Sequence, residues 1–133
     1  MENLALKIKI SVLWLFWEVA ALAMLILGFM EPGVIDQLRL GEIEGMKIGP
    51  ELLLFFAILL LVPLVMAFLS LALKDSANRW ANIILGIVYA GIGIVELATT
   101  ANPSAYSILL EASKVVVTAL IVWYAYKWPK EKA

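Results

Sequence analysis

The chain contains no cysteine and no histidine. Without cysteine there is no disulfide framework, no thiol nucleophile and no thiolate metal ligand. Without histidine the usual haem ligand, most transition-metal sites and the common proton shuttle drop out, so neither a cofactor nor a metal is implied. Gln occurs once, at Gln37, and Asn four times, a scarcity that suits a thermophilic source. Charged residues are 16% of the chain, against about 25% in ordinary soluble domains. There is no glycine-rich phosphate loop, no nucleophile–base pair with histidine and no basic stripe. Phosphate-loop chemistry and nucleic-acid partners are therefore not expected.

What the chain has instead is apolar length. Hydrophobic residues make up 64%, and the mean hydropathy is +0.98. A helix needs about 20 largely apolar residues to cross a hydrocarbon core about 30 Å thick. Four segments qualify, at roughly 10–29, 51–73, 80–101 and 105–126. They use most of the chain, which predicts one transmembrane domain and no soluble one. In lipid every backbone polar group must be paired internally, so the spans are expected to be helices. Barrel strands would be shorter and would alternate in polarity. The fold class is all-α, an up-down-up-down four-helix membrane bundle. The first run is longer than a signal-peptide core of about 7–15 residues and is interrupted by Glu18, so it is not read as a removable signal.

Lys74 to Arg79 and Asn102-Pro103-Ser104 are short connections that force antiparallel neighbours. Asp75 or Ser76 is placed to cap the third span and Ser104 the fourth. The connection from Glu31 to Pro50 is 20 residues long. Its first part, Pro32 to Leu40, reads as a short amphipathic helix in the membrane interface, and Gly41 to Gly49 fits a small hairpin or an irregular loop. Lys and Arg near span ends number seven on one side (Lys7, Lys9, Lys74, Arg79, Lys127, Lys130, Lys132). The other side has two (Arg39, Lys47) beside five acids. That bias predicts cytoplasmic termini and an outer long loop. Trp14, Trp80, Trp123, Tyr124, Tyr126 and Trp128 crowd the same ends and read mainly as an aromatic belt.

Glu18 lies near the middle of the first span. A charge there costs about 2.5–3.5 kcal/mol on insertion scales, so it marks a candidate site. Glu18 and Lys114 each lie about 18–20 Å below the outer connections by the helical rise, and an ion pair between them is expected. Glu96 and Glu111 flank the Asn102–Ser104 turn at nearly equal distances, and Glu111 and Lys114 share a face. Tyr89, Gly93, Glu96 and Thr100 form a second polar stripe, and Ser11, Trp14 and Glu18 a third. Gly86, Ala90 and Gly93 make a small-residue face for close packing. Pro63 frees the carbonyl of Leu59. The candidate ligand-binding set is Glu18, Glu96, Glu111, Lys114, Trp14 and Tyr89. Three carboxyls and one ammonium would carry −2 if all were ionised, so at least one carboxyl is expected to hold a proton when nothing is bound.

Several strings resemble a family of small four-span prokaryotic membrane proteins of unknown function. They are Leu13-Trp14, Met30-Glu31-Pro32-Gly33-Val34, Ala77-Asn78-Arg79-Trp80-Ala81-Asn82-Ile83-Ile84 and Trp123-Tyr124-Ala125-Tyr126-Lys127-Trp128-Pro129. The resemblance runs most of the chain and implies four spans and no known activity. Glu18-Val19 and Tyr89-Ala90-Gly91-Ile92-Gly93-Ile94-Val95 also look similar, more weakly, to the small multidrug resistance transporters. The long outer loop and the charge bias depart from that pattern.

These observations lead to a multi-pass protein of a prokaryotic plasma membrane. It is expected to bind, and by extension transport, a small cationic or amphiphilic ligand at the carboxylate cluster. One alternative is a non-catalytic structural or accessory protein whose buried charges fix helix register. Another is a membrane enzyme acting on a lipid-like substrate, although no residue spacing is specific for catalysis. The lipid bilayer is the expected partner. A homo-oligomer stays open, since four helices are few to enclose a translocation path.

Overall fold

The four apolar runs are helices. The structure is a computed structural model that describes residues 3–129. Helix α1 runs Leu4–Phe29, α2 Val34–Arg39, α3 Pro50–Ala72, α4 Asp75–Thr99 and α5 Ala105–Tyr126. All but α2 are long and apolar enough to cross a membrane. A hairpin of β1 (Glu42–Ile43) and β2 (Met46–Lys47) pairs Glu42 with Lys47 and follows α2 in the long connection. Its two turn residues, Glu44 and Gly45, both have positive φ (49° and 80°), as tight two-residue hairpin turns require.

Helix α1 packs on α3 along one side and on α5 along the other, and α5 packs closely on α4. The α4–α5 approach is close because Gly86 and Gly93 carry no side chain. A Cβ added at Gly86 would come within 2.6 Å of Val122 Cγ2, and one at Gly93 within 2.7 Å of Val115 Cγ2. Helices α1 and α4 lie across the interior and meet through aromatic rings. Trp14 and Trp17 stand edge-on to Tyr89 at centroid distances of 5.8 and 5.0 Å. On the outside, Phe55, Phe68, Leu54, Ile84 and Ile87 are exposed. A surface of that kind suits lipid, since acyl chains are as apolar as these side chains.

Several local expectations change. Helix α1 starts at Leu4, ahead of the apolar run, because its polar first turns are tied to α4. Asn3 Nδ2 donates to Asp75 Oδ2 (2.7 Å), and Lys7 Nζ lies 3.3 Å from Asp75 Oδ1. Neither Asp75 nor Ser76 caps α4: Lys74 holds the N-cap position, and no side chain bonds there. Ser104 does occupy the N-cap of α5, but its hydroxyl donates to Glu31 Oε1 (2.6 Å) rather than capping the helix. At Ser104 a tertiary partner takes the hydroxyl from the local backbone, while α4 starts earlier than expected, with Asp75 already helical and bonded to Asn3.

Candidate functional site

Among the buried residues of α1 are Ser11, Trp14, Trp17 and Glu18. Trp14 is fully enclosed and is not part of an interfacial belt. Its indole Nε1 donates to Asn82 Oδ1 at 2.6 Å. Asn82 Nδ2 in turn donates to Asn78 Oδ1 (2.7 Å) and to the Asn78 carbonyl (2.9 Å). Asn78 Nδ2 donates to the Ser70 carbonyl (2.7 Å), Ser70 Oγ to Asn82 Oδ1 (3.3 Å), and Ser11 Oγ to the Ala67 carbonyl (2.7 Å). The result is a closed polar knot joining α1, α3 and α4. Of these residues only Trp14 belongs to the expected site. The available signal was Asn78 and Asn82 themselves, two amides four apart on one helical face. Buried amides must find partners, and in a membrane helix those partners lie on neighbouring helices.

Lys114 is also buried, but its partner is not Glu18. Its ammonium lies 2.8 Å from Glu111 Oε2 on the same helix, 4.6 Å from the centre of the Trp17 ring and 3.9 Å from Met24 Sδ. The expected height match holds, since Trp17 and Met24 flank Glu18 on α1. The azimuth does not: adjacent helical residues point about 100° apart, so a helix that turns Trp17 to Lys114 turns Glu18 elsewhere. An i, i+3 carboxylate also pairs with Lys114 without any alignment between helices.

Glu18 is left beside the aromatic group. It is 5% exposed, and among the described residues no donor reaches its Oε2. Such an orphaned buried oxygen is uncommon and calls for a reason. Glu111 Oε1 is the second orphaned carboxylate oxygen, and it points at Gly93 of α4, 3.3 Å from where a Cβ would be. Glu96, three residues after Gly93, is exposed and brings another carboxyl beside Glu111. The stripe on α4 therefore leaves the interior: Tyr89 and Gly93 are buried, Glu96 and Thr100 exposed. Tyr89 donates its hydroxyl to the Leu59 carbonyl at 2.8 Å, the group freed by Pro63. Among the described residues no three acidic side chains stand close enough to hold a metal ion.

At the far end of α1, Glu31 Oε1 accepts from Ser104 Oγ (2.6 Å) and Tyr106 OH (2.8 Å), clasping α1 to the start of α5. The Ser104 hydroxyl, then the Tyr106 hydroxyl, hold this carboxyl below its usual range by stabilising the anion.

No curated protein and no solved structure matches the chain, so the likeness to the small multidrug resistance transporters has no support there. The family resemblance does have support: the chain belongs to the family of unknown function DUF6326, whose model matches residues 3–133.

Proposed function

We propose that the protein binds, and by extension transports, a small cationic or amphiphilic ligand at the intramembrane carboxylates. Glu18 is the anchoring charge, and Trp14, Trp17 and Tyr89 are its aromatic surroundings. The observation that carries this reading is the unpartnered, buried Oε2 of Glu18. Helix register does not need Glu18, because the Asn78–Asn82 knot links three helices with its own hydrogen bonds. Lys114 does not need it either, since Glu111 holds that charge. A carboxylate kept at such depth with neither task is placed to meet a charge from outside. Aromatic faces beside it would add cation–π attraction.

The chain is read as crossing a prokaryotic plasma membrane four times, up-down-up-down. Both termini are cytoplasmic, and the α2–hairpin connection lies outside as an interfacial cover. The Lys and Arg bias supports this orientation; Lys130 and Lys132 of that count lie outside the described residues.

The test uses purified protein in detergent, titrated with tetraphenylphosphonium. Tryptophan fluorescence, proton release and the melting temperature are followed together. The wild type is expected to show saturable quenching and a ligand-dependent rise in Tm. Glu18→Gln should weaken binding at least about ten-fold, the equivalent of about 1.4 kcal/mol. It should melt no lower than the wild type without ligand, because an isosteric amide removes a buried charge. If Glu18→Gln, Glu96→Gln and Glu111→Gln all bind and release protons as the wild type does, the reading fails.

A further inference from the structure

The end of the molecule opposite the Glu31 clasp carries a second feature, independent of the carboxylates. Three cations, from α1, from α4 and from the residue just past α5, gather around the last turn of α5. Lys9 of α1 stacks over the Tyr124 ring, with its Nζ 5.8 Å from the centroid. Arg79 of α4 donates Nε to the Ala125 carbonyl at 3.2 Å and lies 5.2 Å from the Trp80 ring centre. Lys127, just past α5, stacks over Trp123 at 4.8 Å. None of the three has a carboxylate within 4 Å among the described residues, whereas Lys7 beside them is paired with Asp75. Arg79 spends one of its five N–H donors on the backbone, and among the described residues the four on its terminal nitrogens make no hydrogen bond. Trp80 and Trp123 are 54% and 55% exposed and mark the depth at which rings meet headgroups.

We propose that this collar binds the phosphates of anionic phospholipids. Its ammonium groups and its guanidinium are held beside aromatic rings at headgroup depth, and among the described residues none of them is paired with a carboxylate. The charges fan around the turn rather than meeting at one point. They therefore fit headgroups lined up along the α1–α5–α4 rim, as basic pockets between membrane helices do elsewhere. Apolar faces of the same helices lie directly beneath for the acyl chains, which is why lipid rather than free phosphate is the occupant. The opposite end carries Glu31, Asp36, Glu42, Glu44 and Glu51 and would repel the same lipids.

The test is native mass spectrometry of the full chain, delipidated and then exposed to equal amounts of phosphatidylglycerol and phosphatidylcholine. The wild type is expected to retain phosphatidylglycerol selectively. Lys9→Gln and Lys127→Gln change exposed side chains that make no hydrogen bond within the described residues, so folding is preserved. Each should weaken phosphatidylglycerol retention about five-fold, and the pair about 25-fold. Arg39→Gln with Lys47→Gln, at the other end, should leave it unchanged. Inorganic phosphate in large excess should not displace the lipid. No selectivity in the wild type, undiminished selectivity in the double variant, an equal loss from the Arg39 and Lys47 changes, or full displacement by phosphate would each overturn the proposal.

Discussion

Asn82 has partners on three sides. It accepts from Trp14 and Ser70 and donates to Asn78, all at positions with no access to solvent. Removing its amide would strand the Trp14 N–H in an apolar interior, and an unmade buried hydrogen bond costs about 1–3 kcal/mol. Asn82→Ala is therefore expected to lower unfolding stability in detergent by about that amount. The tryptophan emission of the native state should change as well, since Trp14 loses its acceptor. A variant as stable as the wild type would mean that the knot contributes nothing net. Glu18 is the opposite case. Among the described residues its buried Oε2 has no donor to lose, so Glu18→Gln is not expected to lower stability.

Among the elements, α1 and α5 are joined in mid-span and again at the Glu31 end. The Lys114 ammonium stacks on Trp17 in mid-span, and Glu31 is clasped by Ser104 and Tyr106 at the end. The clasp has a definite pH dependence. The folded state holds the Glu31 carboxyl below its ordinary value, so the unfolded state binds its proton first as pH falls. The contribution is complete above the unfolded pKa, about 4.3 for Glu, and disappears as pH falls through the lower folded value. Thermal unfolding of the wild type should therefore become less favourable to the native state across that acidic window. The Ser104→Ala, Tyr106→Phe double variant should start lower at neutral pH and fall less steeply over the same window. Superimposable pH profiles for the two proteins would show that the clasp is not linked to folding.

At the level of the whole molecule, absence of cysteine becomes an experimental advantage. A single introduced thiol is the only one present, so labelling reports one position without background. Glu44→Cys lies in the hairpin turn and Ser76→Cys in the first turn of α4, at opposite ends of the long helices. With cytoplasmic termini, an impermeant maleimide should label the Glu44→Cys protein in intact cells. It should reach the Ser76→Cys protein only after permeabilisation. The reverse pattern would invert the molecule and place the basic collar on the outer leaflet. Labelling of both in intact cells would indicate dual insertion.

Much of this architecture follows from one-dimensional facts. Four apolar runs of about 20 residues, long enough to cross a bilayer as helices, are expected to be helical because a backbone in hydrocarbon must pair within its own segment. Pro63 removes one helical bond, which makes the Leu59 carbonyl an acceptor in waiting, and Tyr89 fills it. Heights along the spans were legible as well, because the rise per residue is fixed. Direction around each axis was not. It depends on how all four helices pack at once, on Gly86 and Gly93 drawing α4 onto α5, and on Trp14 finding Asn82 across the interior. The tertiary structure alone therefore decided that Lys114 pairs with Glu111, that Trp14 leaves the interface for the core, and that Glu18 Oε2 meets no donor among the described residues. A charge's depth is a property of its position in the chain, but its partner is a property of the packed helices around it.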